Sequence, residues 1–263
     1  AYVKDNTEHS MTKGKKIAIP VTILECPPMK ILSVRFYKNG KVANEILAEN
    51  PDKELRRVIR FPKKKSGKIE DVKDYDDIRV IVYSQVKKTN LKKTPDVIEI
   101  GLTGSNEEKI NYVKDKLNKE ITVSEILEKG QLVDARGLTK GKGLAGAVKR
   151  FGITLKQHKS EKGRRRPGSL GPWHPARVTF RVPMAGQLGM FTRVVYNNKI
   201  IGIGKPEENQ SMKDISHYGD VKTDYVIIRG SIQGPQKRQI LLTYPLRQTR
   251  RQAKKNFELL EIR

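Results

Sequence analysis

RGLTKGKGLAGAVKRFG (136–152), KGRRRPGSLGPWHPARVTFRVP (162–183) and MAGQLGMFTR (184–193) belong to one basic, glycine-rich stretch that decides how the rest of the chain is read. It holds fourteen Lys or Arg: Arg136, Lys140, Lys142, Lys149, Arg150, Lys156, Lys159, Lys162, Arg164, Arg165, Arg166, Arg177, Arg181 and Arg193. Glu161 is its lone carboxylate, and ten of the chain's 21 glycines and its only tryptophan, Trp173, fall here too. These fifty-eight residues therefore carry +13, about half of the formal +25, with too few large apolar side chains to build a core. Burial cannot offset the entropy of ordering such a segment. An anion has to neutralise and order it.

The whole chain points the same way. Its 54 basic against 29 acidic residues favour a polyanionic partner, nucleic acid first. A length of 263 residues permits one or two domains, and a hydrophobic content of 36% leaves part of the chain outside any core. The single Cys26 excludes an internal disulfide framework and a Cys-based zinc site. In LECPPM it reads as a small residue at a strand end, with nothing nearby to lower its pKa, and a reducing compartment is expected. No apolar run approaches the ~18 residues needed to cross a bilayer. No signal-peptide pattern opens the sequence, so no membrane partner is expected. The sequence starts at Ala1, without Met and in what reads as mid-strand, so further residues are expected before it.

Ile17, Ile19, Val21 and Ile23 alternate like a half-buried strand. Met29 to Tyr37 reads as a second strand, ended by an Asn39-Gly40 turn. Asn50 as a cap and Pro51 in a first turn predict a short helix to Arg60, with Leu55, Val58 and Ile59 on its apolar side and Arg56, Arg57 and Arg60 off it. Phe61 to Asp74 reads as loop, with Lys63, Lys64, Lys65 and Ser66-Gly67 at its tip; KKTNLKKTP (87–95) is a second basic loop, between strands at Ile78–Ser84 and Val97–Leu102. Ser105 with Glu108 predicts a boxed helix to about Asn118 carrying Ile110, Val113 and Leu117; Thr122 with Glu125 predicts a shorter one, stopped by Gly130. Gln131–Ala135 is a strand leading into the basic stretch. Phe191–Tyr196 and Lys199–Gly204 read as a hairpin about Asn197-Asn198, and Asp224–Arg229 and Gln239–Tyr244 as further strands. The tail from Arg247 is expected to be a short helix or disordered. Strands with interspersed helices but no βαβ rhythm indicate α+β, or a barrel with helical insertions.

Catalytic motifs are weak. Gly141, Gly143 and Gly146 spell G-x-G-x-x-G, but no long amphipathic helix follows to carry a pyrophosphate. His9, His158, His174 and His217 lack metal-ligand spacing, and PGSLG around Ser169 only loosely resembles a nucleophile elbow. The adjacent Asp76 and Asp77 read as turn chemistry. No catalytic residue, metal, cofactor or small-molecule substrate is expected. The competing reading is an RNA-modifying or RNA-processing enzyme with a basic substrate channel, which needs a site that these residues do not supply.

The basic stretch has more to offer RNA. Its glycines allow close backbone approach, and Arg164, Arg165 and Arg166 suit bidentate phosphate contacts. In RVTFRV, Val178, Phe180 and Val182 alternate with Arg177, Thr179 and Arg181, which predicts a strand with one packed and one cationic face. Trp173, between Pro172 and His174-Pro175, offers an aromatic surface for stacking. The expected RNA-binding set is the fourteen basic residues with Trp173 and His174.

VDARGLTKGKGLAGAVKRFG and PGSLGPWHPARVTFRVPMAGQLGMFTRVVYNNKIIGIG resemble the L-three family of large-subunit ribosomal proteins, in its archaeal and eukaryotic form. IPVTILECPPMKILSVRFY and VIIRGSIQGPQKRQILL extend the likeness over most of the chain. The resemblance implies a mainly β protein: a six-stranded translation-factor-type barrel with a helical insertion and a long basic extension. It implies barrel strands in 1–37 and 191–246, an α/β insertion in 38–130, an rRNA-penetrating extension in 136–193 and a basic tail in 247–263, all within one ribosomal-protein domain. The family's N-terminal arm and first barrel strand would precede Ala1, leaving the barrel one strand short. By the same resemblance Trp173 sits at the extension's tip near the peptidyl transferase centre, and Lys140, Lys142, Lys149 and Arg150 line RNA. The partners implied are large-subunit rRNA and neighbouring ribosomal proteins, in the cytoplasm, with a part in early assembly. A histidine modified in eukaryotic relatives is replaced here by Glu161, so that modification is not carried over.

Overall fold

A computed structural model of the chain describes residues 1–62, 67, 69–72, 74–208 and 212–262. The protein is mainly β. Its strands begin with β1 (Tyr2–Asp5), β2 (Lys16–Ala18), β3 (Val21–Glu25), β4 (Met29–Lys38), β5 (Lys41–Leu47), β6 (Asp77–Ser84) and β7 (Val97–Gly101). After helix α1 (Asn106–Lys116) come β8 (Leu132–Leu138), β9 (Leu144–Ala145), helix α2 (Ala147–Phe151), β10 (Gly186–Gln187) and β11 (Thr192–Gly204). The chain ends with β12 (Tyr225–Arg229), β13 (Leu241–Thr243), helix α3 (Arg250–Ala253) and β14 (Phe257–Glu261). Two compact units result: Ala1–Val133, Asn197–Ser231 and Tyr244–Arg263 form the first, Asp134–Tyr196 and Ile232–Thr243 the second.

In the first unit β5, β4, β6 and β7 form an antiparallel sheet in that order. Ile31, Val34 and Phe36 of β4 and Ile78, Val80 and Val82 of β6 turn one face towards a core that Val113 of α1 and Ile121 complete. The Phe36 ring is fully buried, edge-on to Tyr75 at 5.1 Å between centroids. The opposite face buries Leu32, Ile81 and Tyr83 against Leu55. A separate core joins Val3, Ile19, Ile201, Tyr225, Ile227 and Phe257. There β14, β1 and β2 pair antiparallel, and β12 pairs with β3 from Tyr225↔Glu25 to Arg229↔Val21.

Local sequence signals explain several elements. Ser105 Oγ accepts from the Glu108 N–H while Glu108 returns its carboxylate to the Ser105 N–H, the expected box at the head of α1. Thr122 donates its N–H and hydroxyl to the Glu125 carboxylate, but the helix that follows is a single 3-10 turn, Val123–Glu125. Asn39 and Gly40 take φ of 50° and 72°, closing β4 onto β5. Asp76 accepts from the Asn39 N–H at 2.7 Å, the turn role expected of it. Cys26 follows β3; burial of its thiol, with the Asp224 and Glu25 carboxylates nearby, pushes its pKa up to about 12, which makes it a poor nucleophile.

Other expectations are corrected. Ile17–Ile23 is two strands: Pro20 cannot donate to a ladder, and the chain leaves β1 there to join β12. The helix expected over Pro51–Arg60 is a 3-10 segment, Lys53–Arg57, that starts from Asp52 instead of Asn50. Asp52 makes no side-chain cap; its carboxylate accepts from Tyr83 Oη at 2.9 Å and Gln85 Nε2 at 3.4 Å. The Asn197-Asn198 hairpin is absent, because β11 runs on through it and Ile200–Gly204 pairs with β12. Asn197 does take a positive φ of 56°, but its amide donates to Arg247 O and accepts from the Thr249 N–H. The tail does form the expected short helix, α3, but adds β14, whose Phe257 is buried while β14 pairs with β1. Val86–Thr89 opens the second basic loop as a 3-10 turn, and Ile69–Asp71 forms another inside the first. Lys63, Lys64, Lys65 and Ser66 lie outside the described residues.

Two measurements check this packing. Phe36→Ala is expected to lower the unfolding free energy by about 3–5 kcal/mol in urea titration, because the ring leaves a cavity between β4 and α1. Asp5 reports on pH. Burial alone would raise its carboxyl, but hydrogen bonds from Thr12, Thr7 and Ser10 outweigh that and hold it well below the usual carboxylate value. A depressed folded-state value means that its stabilisation is full above the unfolded value of about 3.9 and drains away as pH falls below it. Asp5→Asn should therefore be less stable than the parent at pH near 6, with the two urea midpoints converging in acid.

Candidate nucleic-acid interface

The basic stretch lies in the second unit, and backbone pairing instead of a large core gives it form. At its base β8 pairs with β13 in the register Leu241↔Arg136, Leu242↔Ala135 and Thr243↔Asp134. Gln233 Nε2 donates to Ala135 O at 3.0 Å and to Arg193 O at 2.7 Å, so one amide ties the outgoing chain to the returning one. Above it the two passes are zipped together: Thr139 N to Phe191 O, Lys142 N to Leu188 O and Leu188 N to Gly143 O, each 2.9–3.0 Å, before β9 pairs with β10.

Two glycines make this stem possible. Gly189 has φ +82°, and a Cβ there would lie 2.0 Å from Lys140 O. At Gly186 a Cβ would meet the Arg150 guanidinium at 2.8 Å. That guanidinium donates to Gln187 O at 3.2 Å and Met184 O at 3.0 Å, so Arg150, on the five-residue α2, braces the stem from within. The brevity of α2 agrees with the reading of G-x-G-x-x-G as no dinucleotide fingerprint.

Beyond the stem, residues 153–183 carry no helix or strand. Lys156 N to Arg164 O, with Arg164 Nε to Lys156 O at 3.1 Å, closes one loop. A turn from Thr179 O to Val182 N closes another. The strand expected at Arg177–Val182 is therefore absent. Among the described residues no neighbouring strand pairs with it, and its apolar side is largely uncovered: Val178 is half exposed and Phe180 fully so, and only Val182 is partly buried. Trp173 is 87% exposed, beside an open concavity lined by Leu170, Pro172, Pro175 and Arg177.

Of the sixteen residues expected to bind RNA, Arg136 and Arg150 are half-buried. The other fourteen are exposed: Lys140, Lys142, Lys149, Lys156, Lys159, Lys162, Arg164, Arg165, Arg166, Trp173, His174, Arg177, Arg181 and Arg193. Arg136 Nε reaches Thr243 Oγ1 at 3.4 Å, and Arg193 lies over the Phe191 ring at 5.2 Å, so both act first at the base of the stem. Among the described residues, no Lys or Arg of 136–193 forms an ion pair. Cations without carboxylate partners, on a backbone held by its own hydrogen bonds, suit phosphate oxygens. Sequence reasoning missed Phe180, whose alternation with Arg177 and Arg181 reads as burial, and Gln233, whose staple no local pattern signals. Among the described residues, no group of three or more His, Cys, Asp or Glu could hold a metal ion, and no helix is long and apolar enough to cross a membrane.

Comparison with known proteins extends beyond this surface. The family model described as ribosomal protein L3 matches residues 62–262. A large ribosomal subunit protein uL3 from Methanocaldococcus jannaschii is 38% identical over 94% of this chain and 78% of its own length. Relatives of the same name from Methanobrevibacter smithii, 40% identical over 94% of this chain and 79% of theirs, and Picrophilus torridus, 41% over 94% and 78%, agree. With the match running from before β6 through the glycine-zipped stem to the closing strands, the chain belongs to the ribosomal protein L3 family.

Proposed function

We propose that this chain is a structural constituent of the large ribosomal subunit whose extension, Arg136–Arg193, binds large-subunit rRNA and reaches towards the peptidyl transferase centre. The observation that carries the reading is the unpaired cationic loop on a hydrogen-bonded stem, with Trp173 exposed at 87%. The stem positions the loop without a core, and phosphates supply the missing counter-charge. Trp173 and Phe180 offer rings for stacking on unpaired bases, as single-stranded and irregular RNA allows. The chemistry of peptide transfer stays with the RNA, and this protein shapes its surroundings.

The rest of the family pattern is proposed on the same footing. Val3, Ile19, Ile201, Tyr225, Ile227 and Phe257 share one core, which supports a translation-factor-type barrel in which β1, β2, β3, β12 and β14 take part. Residues 38–130 act as the α/β insertion, 136–193 as the extension and 247–263 as a basic tail that returns to the barrel through β14. Early assembly of the subunit, docking of neighbouring ribosomal proteins and a cytoplasmic, ribosome-bound location complete the reading.

Two experiments test it. Hydrogen exchange on the free chain should find Arg136–Arg193 weakly protected beyond the stem, with strong protection once large-subunit rRNA is bound; equal protection in both states would refute the reading. In rRNA-binding titrations, Lys162→Ala/Arg165→Ala/Arg166→Ala should lower the salt slope by about 2 units, at ~0.7 per lost phosphate contact. Trp173→Ala should leave that slope unchanged while costing about 1–3 kcal/mol of affinity.

A further inference from the structure

Two basic segments that read as solvated in the sequence meet in the first unit, away from the extension. Lys53, Glu54 and Arg57 of the 3-10 segment Lys53–Arg57, with Lys87 and Lys93 of the loop after β6, line an open concavity of about 310 Å³. Both walls stand on fixed backbone. Leu55 is fully buried against Leu32, Ile81 and Tyr83, and Asp52 just before it is held by Tyr83 and Gln85. On the other wall Val86 is buried, Thr89 Oγ1 donates to Val86 O at 2.7 Å, and Asn90 closes the turn with φ 58°.

The concavity gathers cations most of which lack an ion-pair partner among the described residues. Neighbouring lysines are neutralised, Lys88 by Glu120 and Lys92 by Asp96. Among the described residues the one carboxylate lining the concavity is Glu54, held by Lys87 Nζ at 2.5 Å. Lys53, Arg57 and Lys93 are exposed and form no ion pair among the described residues. Four cations therefore share one carboxylate on a pinned backbone, and an anion would relieve their mutual repulsion. The volume is several times the ~30 Å³ share of one water molecule, which leaves room for a phosphodiester group. Among the described residues no aromatic side chain lines the site, so it offers no ring on which to stack a base.

We propose that Lys53, Arg57, Lys87 and Lys93 form a second RNA site, which grips the phosphodiester backbone of folded RNA without reading its sequence and independently of the extension. Contacts of this kind fix the register and orientation of a protein on RNA, whereas base contacts specify sequence. A two-point grip, one on each unit, follows.

The test uses the full chain and an in vitro transcript of an archaeal large-subunit rRNA. Lys53→Ala/Arg57→Ala/Lys93→Ala should lower the salt slope by about 2 units, at ~0.7 per contact, and add to the loss from Lys162→Ala/Arg165→Ala/Arg166→Ala. An unchanged slope in the first variant, with the loss in the second retained, would overturn this site and leave the extension's role standing. No loss in either would overturn both. Lysine acetylation of the unmutated protein, read by mass spectrometry, gives a measurement free of folding effects: Lys53 and Lys93 should be protected by the transcript. Protection by a poly-glutamate peptide but not by the transcript would assign the concavity to an acidic protein segment and defeat the proposal.

Discussion

The constraint on which this molecule turns is uncompensated positive charge. Fourteen cations stand within Arg136–Arg193 against Glu161 alone, and none has an ion-pair partner among the described residues. Hydrophobic burial cannot hold such a segment, since its large apolar side chains are few and Trp173, Phe180 and Leu144 are largely exposed. Backbone hydrogen bonds do the holding instead. The ladder from Thr139–Phe191 to β9–β10, with Gln233 at its base and Arg150 across it, sets the geometry of the stem and leaves the remaining cations turned to solvent.

The first unit pairs a good part of its charge. Arg35 is shared by Glu45 and Glu99, Lys109 is set against Asp77, and Lys116 against Glu125. Apart from the buried Lys109, such pairs lie near the surface and contribute little each, and stability there rests on the cores around Phe36, Leu55 and Tyr225. Lys53, Arg57 and Lys93 form no ion pair among the described residues, and what sets them apart from other unpaired cations such as Arg56 and Arg60 is that they line one concavity. Charge left bare on an ordered backbone is a different signal from charge in a soluble loop.

Elements whose cause lies within a few residues were legible in the sequence. The Ser105–Glu108 box, the Asn39-Gly40 turn and the strand at Ile78–Ser84 are examples, because each answers a local steric or hydrogen-bonding demand. Elements whose cause lies far along the chain were misread. Asn197 does adopt the backbone of a turn, yet the pairing of Ile200–Gly204 with β12 carries the strand onward. Phe257–Glu261 hid behind the basic run before it, because its partner β1 lies at the other end of the chain. Arg177–Val182 has the alternation of a strand but no partner to pair with, so it remains a turn.

Composition and motif by themselves determined where along the chain uncompensated positive charge gathers and which family pattern the chain follows. Charge count, glycine content and motif order are properties of the covalent chain and survive any folding. Tertiary structure alone decided which cations are free and which are spent. Arg150 was indistinguishable from Lys149 in the sequence, but it braces the stem, whereas Lys149 faces solvent. Lys53, Arg57, Lys87 and Lys93 were scattered over two loops until Leu55 and Asp52 drew the loops together. Whether a charge is available depends on its neighbours in space, and those are set by long-range packing that no local pattern records.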